Sequence, residues 1–269
     1  MADGRLPGKV RLDQLLVERR LVQSRNVAQG LIMAGRVRVG GKVVDKAGCQ
    51  MSPDAVLEIV PGPRFVSRAG EKLAHALRVF SVDVTGVRAL DVGASTGGFV
   101  DCLLQGGAAE VIALDVGYGQ LDARLRDDPR VHVLERVNAR YLEAGRLPYE
   151  PDFLTTDVSF ISLEKVLPAV VACMTPVFRG VLLVKPQFEA GPERVGRGGI
   201  VRDRVVRADV LRRITRFLQE GLGLNIDGVA PSGLPGVGGN VEFVVVVRRG
   251  GAEGLSLATL EATIEDIVA

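Results

Sequence analysis

A glycine-rich turn in residues 90–101, LDVGASTGGFVD, separates an apolar strand pattern from an apolar helix pattern. Gly93, Gly97 and Gly98 allow a ligand to approach the backbone closely, and N–H groups at the start of a helix can donate to it. The turn lacks the lysine of a nucleoside-triphosphate loop and does not match G-x-G-x-x-G, which disfavours NTPases and NAD enzymes. The spacing therefore indicates a ligand-binding turn of another kind, and a purely structural turn is the alternative.

Asp115 ends the next predicted strand, 24 residues after Asp91. A carboxylate at this place in a doubly wound sheet can accept hydrogen bonds from a ribose diol. A D-x-G-x-x-x-G-G-F turn at a strand end, followed by such an acid, looks like the cofactor site of S-adenosylmethionine (AdoMet) methyltransferases. A role of Asp115 as a helix or turn cap stays open at this point.

The segment after the fourth predicted strand distinguishes between methylation targets. It reads DVSF at 157–160, whereas methyltransferases of exocyclic amines usually carry N/D-P-P-Y/F there. Cys173 lies late in a predicted helix, which does not suit a nucleophile for C5 methylation of pyrimidines. Lys185 follows the apolar strand VLLV, and a neighbouring charge such as Asp157 can tune an ammonium at a strand end. These features favour a hydroxyl group as the methyl acceptor.

Two further charged residues complete a candidate set of two lysines and two carboxylates. Glu242 lies inside the apolar run NVEFVVVV, where an unpaired carboxylate would be costly, and Lys72 lies in SRAGEKLAHAL. Together with Asp157 and Lys185 they come from four distant segments that could converge on one cleft. Taken singly, Lys72 and Glu242 are equally consistent with ordinary surface charges.

The body of the chain alternates strand and helix patterns. This alternation predicts an α/β fold with a mostly parallel, doubly wound, Rossmann-like sheet, and the late strands could add an antiparallel pair at one edge. The predicted strands are 87–93, 110–116, 131–135, 152–160 and 180–186, followed by a helix around 204–221, two further strands and a terminal amphipathic helix at 255–269.

The pattern of residues 10–60 predicts a separate basic module of two helices and a hairpin. Ser24 can cap the second helix, Gly35 suits its end, and Gly40-Gly41 is a two-residue hairpin signal. Residues 1–72 carry 13 Lys and Arg against 7 Asp and Glu, whereas the rest carries 21 against 25. The order of elements resembles the alpha-L fold of a ribosomal protein, a small α+β RNA-binding domain, and its arginines suit phosphate. A basic packing domain without RNA is the alternative.

Nearly the whole chain resembles the TlyA family, ribosomal RNA 2′-O-methyltransferases with an alpha-L head and an FtsJ-like body. One departure is Ala69, because the common pattern of the family, S-R-G-G/A-x-K-L, has a glycine at this position and this sequence reads SRAGEKL. The segments that carry the resemblance are SRAGEKL (67–73), DVGASTGGF (91–99), DVGYGQL (115–121), DPRVHVLERVNAR (128–140), DVSFISL (157–163), LLVKPQFEAG (182–191), VGRGGIVRD (195–203) and GNVEF (239–243).

The resemblance implies an AdoMet-dependent enzyme that methylates a cytidine ribose in small-subunit or large-subunit ribosomal RNA, or in both. It implies a head at 1–62, a linker at 63–70 and a methyltransferase domain at 71–269. The family's Lys-Asp-Lys-Glu tetrad falls on Lys72, Asp157, Lys185 and Glu242. The implied AdoMet residues are Asp91, Gly93, Ala94, Ser95, Thr96, Gly97, Gly98, Phe99, Asp115, Val116, Asn138 and Asp157. The implied RNA-binding residues are Arg11, Arg19, Arg20, Arg25, Arg36, Arg38, Lys42, Arg64, Arg68, Arg194 and Arg197.

Composition excludes several other classes of protein. The longest stretch without Asp, Glu, Lys or Arg is 228–241, too short and too rich in Gly and Pro for a membrane-spanning helix, and the first residues contain no apolar signal segment. The three cysteines are far apart, so we expect neither a disulfide framework nor a structural metal. We predict a cytoplasmic enzyme without a metal and leave its oligomeric state open. A non-catalytic RNA-binding or ribosome-assembly factor, or a haemolysin-like protein, is the alternative.

Overall fold

The computed structural model describes residues 8–269, apart from the side chain of Val237. The chain divides into two units, of which the first ends at Arg64 and the second spans Phe65–Ala269. Residues 1–7, which the sequence assigned to the start of the head, lie outside the described residues.

From residue 8 onward, the first unit contains two helices and two small antiparallel sheets. A short sheet pairs β1 with β4, and a second has the order β3-β2-β5. Both helices pack on a core of Leu12, Leu16, Ala28, Ile32 and Val37. The elements are β1 (Val10–Arg11), α1 (Leu12–Glu18), α2 (Arg25–Met33), β2 (Val37–Val39), β3 (Lys42–Val43), β4 (Gln50–Met51) and β5 (Leu57–Ile59).

Local signals in the sequence of this unit act as predicted. Oγ of Ser24 accepts a hydrogen bond from the backbone N–H of Val27 at the start of α2. Gly35, just beyond the end of α2, has a φ of 68°. Gly40 and Gly41 have φ values of 56° and 79°, as a tight hairpin between β2 and β3 requires.

The second unit is built around one seven-stranded sheet. Short 3-10 turns lie at Ala139–Tyr141, Ala144–Arg146, Pro192–Arg194 and Val237–Gly239, and α8 continues into a π turn at Phe217–Gly221. The main elements are α3 (Arg68–Val79), β6 (Arg88–Val92), α4 (Gly98–Gln105), β7 (Glu110–Leu114), α5 (Ala123–Arg126), β8 (Val131–Leu134), β9 (Phe153–Thr156), α6 (Leu163–Ala172), β10 (Phe178–Val184), α7 (Pro186–Glu189), α8 (Arg204–Arg216), β11 (Asn225–Pro231), β12 (Phe243–Arg249) and α9 (Leu257–Val268).

The strand order of this sheet is β11-β12-β10-β9-β6-β7-β8. Strands β6 to β10 run parallel, and β12 is antiparallel to both β10 and β11. The predicted mostly parallel α/β sheet is therefore confirmed. The chain order reverses between β6 and β9, and ligands of doubly wound folds bind outside the carboxyl ends of strands at such a point.

The sequence placed two boundaries wrongly. Residues 65–70, predicted as linker, belong to the second unit, because the Phe65 ring is buried in its core and α3 already begins at Arg68. Gly70 packs so closely on this ring that a Cβ would lie 2.4 Å from Cγ of Phe65. The strand predicted over 152–160 covers only Phe153–Thr156, and the chain then turns away from the sheet.

Candidate active site

Two neighbours hold Lys185 at the carboxyl end of β10. Its Nζ atom forms an ion pair with Oδ1 of Asp157 at 2.6 Å and donates a hydrogen bond to Oγ of Ser159 at 2.9 Å. Both partners lie in the segment after β9, which pairs in parallel with β10. Since parallel strands end at the same edge of a sheet, the topology itself brings Lys185 to Asp157.

Lys72 and Glu242 form a second ion pair, with 2.5 Å between Nζ and Oε2. Their side chains are only 11% and 3% exposed. The other carboxylate oxygen of Glu242 accepts a hydrogen bond from Nε2 of Gln187 at 3.2 Å. Because Gln187 follows Lys185 by two residues, this contact links the second pair to the segment that carries the first. The structure thus places the four predicted catalytic residues as two ion pairs.

The glycines of the turn differ in what they do. Gly93 has a φ of 86°, and a Cβ there would lie 2.7 Å from the backbone oxygen of Asp157, so glycine allows the ends of β6 and β9 to approach. Gly97 caps α4 with a φ of 93° and packs on leucine side chains, whereas a Cβ on Gly98 would collide with Oγ of Ser67. Gly97 and Gly98 therefore serve packing and backbone geometry and are absent from the linings of the two cavities described next.

Two cavities adjoin the turn, with volumes of about 460 and 150 Å³. Both are bordered by Gly93, Ser95, Asp157 and Ser159, so these residues lie between them. Of the predicted AdoMet residues, the larger cavity is also lined by Asp115, Val116 and Asn138. The smaller cavity is also lined by Asp91, Ala94, Thr96 and Phe99, together with Lys185.

Backbone N–H groups fix the carboxylate of Asp115. Its Oδ2 atom accepts a hydrogen bond from the N–H of Ser95 at 2.8 Å, and Oδ1 accepts one from the N–H of Gly117 at 2.6 Å. Each carboxylate oxygen has a second lone pair, so Asp115 can still accept from a diol. The capping role considered for Asp115 and the role at the cavity are thus compatible.

Asp91 is completely buried at the end of β6. Oδ1 accepts a hydrogen bond from Oγ1 of Thr155 at 2.7 Å, but Oδ2 has no hydrogen-bond partner among the residues that the structure describes. Burial is the main reason why the pKa of Asp91 is raised to about 8; the Thr155 hydrogen bond opposes the rise, and nearby Asp157 and Asp115 add to it. An orphaned acceptor that borders a cavity suits a cationic group of a ligand, which would supply the missing donor.

Several residues at this site lie in segments that carry the resemblance but were not predicted as site residues. Among them are Ser159, Phe160 and Gln187. Phe160 has a φ of 64° and is 90% exposed, and its ring centroid lies 4.8 Å from that of Phe188. A positive φ on a bulky exposed side chain is unusual and often marks a functional position. The DVSF and KPQF motifs contain all three residues, but the sequence alone did not show which side chains of these motifs face the cleft.

A small hairpin follows α7 in the Gly-rich and Arg-rich segment 191–203. Gly196 and Ile200 form an isolated bridge, and Arg197 lies in its turn. Asn240, two residues before Glu242, accepts a hydrogen bond from the N–H of Val201 at 3.0 Å and donates through Nδ2 to the oxygen of Gly199 at 2.9 Å. Asn240 therefore connects this hairpin to the segment that carries Glu242.

All the residues predicted to bind RNA have exposed or partly exposed side chains, but their contacts differ. The guanidinium of Arg19 donates to the backbone oxygens of Pro53 and Ala55, and Nε of Arg36 donates to that of Val60.

Other predicted RNA-binding arginines form ion pairs. Arg11 and Arg25 pair with Asp13. The guanidinium of Arg38 lies 4.0 Å from Glu58, and that of Arg194 lies 2.6 Å from Asp209. The remaining predicted RNA-binding residues are all exposed, and they are Arg20, Lys42, Arg64, Arg68 and Arg197.

Within residues 8–269, no helix is both long enough and apolar enough to cross a membrane. In the same range, no group of three or more His, Cys, Asp and Glu side chains is arranged to hold a metal ion.

Family models match both units of the chain. The model of FtsJ-like methyltransferases matches residues 65–249, and the model of the S4 domain matches residues 10–56. The first match covers most of the second unit, including all four residues of the two ion pairs. The second covers the helices and the hairpin of the first unit.

Individual relatives cover almost the full chain. One is the 16S/23S rRNA (cytidine-2′-O)-methyltransferase TlyA of Mycobacterium tuberculosis, 46% identical over 95% of this chain and 96% of the relative. A second is Hemolysin A of Brachyspira hyodysenteriae, 38% identical over 87% of this chain and 98% of that protein. A solved structure of a hemolysin-named protein from Streptococcus thermophilus is 37% identical, with a TM-score of 0.72 over 98% of this chain and 96% of its own.

Proposed function

Because this chain belongs to the TlyA family of FtsJ-like methyltransferases, we propose that it transfers the methyl group of AdoMet to the 2′-hydroxyl of a cytidine in ribosomal RNA. The observation that carries the proposal is the ammonium of Lys185, held by Asp157 and Ser159 beside the glycine-rich turn. The Mycobacterium relative is named for 16S and 23S RNA, so we propose small-subunit RNA, large-subunit RNA or both as substrates, in the cytoplasm.

The two cavities fit the two ends of AdoMet. Asp115 in the larger cavity suits the ribose diol, so the nucleoside belongs there, bordered by Val116 and Asn138. Asp91 in the smaller cavity, with its orphaned oxygen, suits the ammonium of the methionine part. When bound, AdoMet supplies a methyl group on a cationic sulfur.

Lys185 orients the acceptor hydroxyl. The ammonium of Lys185 carries three N–H groups, of which one donates to Ser159, while Asp157 pairs with its charge. A further N–H donates to the oxygen of the 2′-hydroxyl and turns a lone pair of that oxygen toward the methyl group. Asp157 takes the hydroxyl proton as the oxygen is methylated. Correct alignment of two reacting groups can lower the reaction barrier by about 7–11 kcal/mol.

Lys72 and Glu242 form the second ion pair of the proposed site. Their ion pair is buried, so neither charge is free to turn toward bulk solvent. Glu242 holds Lys72 in one orientation and, through Gln187, fixes the start of α7 directly after Lys185. We propose that Lys72 contacts the target nucleotide, with Glu242 as the residue that orients it.

Phe160 offers a stacking surface for the target base. A ribose in a structured RNA becomes accessible when its base leaves the stack, and an aromatic ring can replace the stacking partner. The Phe160 ring is exposed, packs on Phe188 and follows Ser159 directly, so it lies next to the group that orients the hydroxyl. The head would hold the surrounding RNA by its phosphates, which accounts for its basic charge.

The proposal is tested by transfer of labelled methyl from AdoMet to unmodified small subunits, large subunits and protein-free ribosomal RNA. We expect label on at least one of these substrates, resistant to alkaline cleavage at the modified nucleotide because a 2′-O-methyl group blocks the attacking hydroxyl. Lys185→Ala should reduce the rate at least about a thousandfold, since removal of such an orienting group costs several kcal/mol. Its thermal unfolding should stay close to wild type.

Lys165→Ala is the matched control, because Lys165 is an exposed lysine on α6. It should methylate at the wild-type rate. Wild-type activity of Lys185→Ala would contradict the assigned role of Lys185. Failure of the wild-type protein to label any substrate, with RNA binding intact, would contradict the catalytic proposal and favour a binding or assembly role.

A further inference from the structure

Asp13 is a fully buried carboxylate in the first turn of α1. Arg11 donates to both of its oxygens, from Nε to Oδ1 and from Nη2 to Oδ2, at 3.0 Å each. The backbone N–H of Gln14 adds a third hydrogen bond at 2.9 Å. A bidentate guanidinium–carboxylate pair of this kind fixes the plane of the arginine.

The same carboxylate also binds two side chains of α2. Nη2 of Arg25 and Nε2 of Gln29 each donate to Oδ2 of Asp13 at 2.9 Å. The hydrogen bond from Arg11 is the main reason why the pKa of Asp13 lies well below its usual range, and Gln29 and Arg25 lower it further. Asp13 therefore remains an anion at working pH and joins β1, α1 and α2 at one point.

The two arginines keep an outward face. Their side chains are 43% and 53% exposed, although both are anchored at one end. A guanidinium carries five N–H groups, of which Asp13 engages two from Arg11 and one from Arg25. Nη1 of each arginine lies outside the contacts with Asp13, so each keeps donors for another anion.

We propose that Asp13 is a positioning residue for RNA binding, which holds Arg11 and Arg25 in fixed orientations so that their outer N–H groups meet RNA phosphates. This inference rests on the proposed RNA-binding role of the head. A flexible arginine loses rotamer freedom when it binds a phosphate, whereas an arginine anchored on a buried carboxylate has already lost it. Charge alone gives the opposite expectation, since a carboxylate near a phosphate weakens binding.

The two effects differ in sign, so a charge-matched pair of variants separates them. Asp13→Asn and Glu58→Gln each remove one negative charge and so raise the net charge of the head by one. Each also removes a carboxylate that pairs with a predicted RNA-binding arginine. Glu58 pairs with Arg38 at the surface, at 4.0 Å and with 58% of its side chain exposed. This long and exposed contact does not fix the orientation of Arg38. Both variants are made in the full chain, and their Kd values for a fragment of ribosomal RNA are measured over a range of salt concentrations.

We expect Asp13→Asn to weaken RNA binding about tenfold, as for the loss of one charge-assisted hydrogen bond, and to flatten its salt dependence. Glu58→Gln should bind as tightly as wild type or more tightly. AdoMet binding should stay unchanged in both. Equal or tighter RNA binding by Asp13→Asn would overturn the inference. Weaker binding with the wild-type salt slope and a lowered melting temperature would overturn it too, because that combination indicates a purely structural role of Asp13.

Arg25→Lys keeps the test open should Asp13→Asn fail to fold. A lysine retains the charge and can pair with Asp13, but it lacks a planar fork with outward donors. We expect weaker RNA binding at an unchanged melting temperature, and wild-type affinity would overturn the inference. If the wild-type protein itself does not bind the RNA, the proposed function of the head fails instead, so the two failures are distinguishable.

Discussion

The buried carboxyl group of Asp91 predicts that the proposed cofactor binding depends on pH. Its pKa of about 8, raised mainly by burial, means that the group is largely protonated at neutral pH. A cationic amine placed on its orphaned oxygen favours the ionised form, so binding of AdoMet should release a proton. Calorimetry at pH 7 in two buffers of different ionisation enthalpy should detect close to one released proton, and affinity should rise from pH 6 to pH 8.

The raised pKa of Asp91 also predicts how the free energy of unfolding depends on pH. An aspartate in an unfolded chain has a pKa near 3.9, so between about pH 4 and pH 8 the folded state binds more protons than the unfolded state. Asp91 should therefore lower the free energy of unfolding as pH rises through this window. Asp91→Asn should remove both this decline and the proton release, and should weaken AdoMet binding. An unchanged proton count in Asp91→Asn would show that another group is responsible.

Phe160 is the second residue whose effect can be isolated. Phe160→Ala removes the proposed stacking surface, and loss of stacking with one base costs about 1–3 kcal/mol. We expect a decrease of kcat/KM for RNA of roughly 10- to 100-fold, corresponding to that cost, with an unchanged Kd for AdoMet. Phe160→Tyr should restore most of the activity, because its ring also stacks. Full activity of Phe160→Ala would exclude a role in stacking.

At the scale of elements, a buried carboxylate joins the two segments that carry Asp157 and Lys185. Glu189, at the end of α7, accepts hydrogen bonds from Oγ of Ser162 at 2.6 Å and from the N–H of Leu163 at 2.8 Å, at the start of α6. Burial raises the pKa of Glu189 above its usual value. Glu189 lies four residues after Lys185, and Ser162 lies five residues after Asp157, so this contact joins the two segments that carry the ion pair.

Glu189→Ala should leave the N–H of Leu163 without its partner, which costs about 1–3 kcal/mol of stability. We also expect a lower kcat at an unchanged KM for AdoMet, because the alignment of Lys185 loosens. Glu189→Gln can form both hydrogen bonds and should restore the activity. Glu164→Ala is the control, since Glu164 pairs with the same Arg213 but is partly exposed. A wild-type kcat of Glu189→Ala would contradict the proposal that Glu189 helps to align Lys185.

The sequence predicted these elements well where the signal is local. Strand and helix alternation predicted the parallel sheet, and Gly40-Gly41 predicted the hairpin. Contacts between distant segments were harder, because side-chain periodicity does not specify partners. The residue types suggested that Lys72 and Glu242, 170 positions apart, could converge, and only the resemblance made this specific. The Gln187–Glu242 and Glu189–Ser162 contacts were not anticipated. The end of β9 was also missed, since the apolar pattern continues after the chain has left the sheet.

At the scale of the whole molecule, positive charge is concentrated toward the N-terminus. Residues 1–72 hold an excess of six positive charges, while the rest of the chain is slightly acidic. A nucleic acid is attracted by such a region, and binding through phosphates becomes weaker as salt concentration rises. Individual cations nevertheless contribute differently, because Arg19 and Arg36 use N–H groups on the backbone of their own unit.

Arg20 and Lys42 therefore give a cleaner test of the head than Arg19. Both are exposed, and their reversal spares the backbone contacts of Arg19. The double variant Arg20→Glu and Lys42→Glu should weaken RNA binding at least about tenfold and reduce the salt slope by roughly one unit for each phosphate interaction that it removes. AdoMet affinity should remain at the wild-type value, because all the residues proposed to hold AdoMet belong to the second unit.

The charge-matched control is Arg146→Glu with Arg216→Glu, two exposed arginines of the second unit outside the proposed site. It changes the net charge by the same amount. If net charge alone governed the interaction, both double variants would show the same decrease in affinity and in salt slope. We expect the larger decrease in the head variant, since phosphate interactions act over short distances at physiological ionic strength. Equal decreases would mean that RNA is attracted by the chain as a whole and is not held by its first unit.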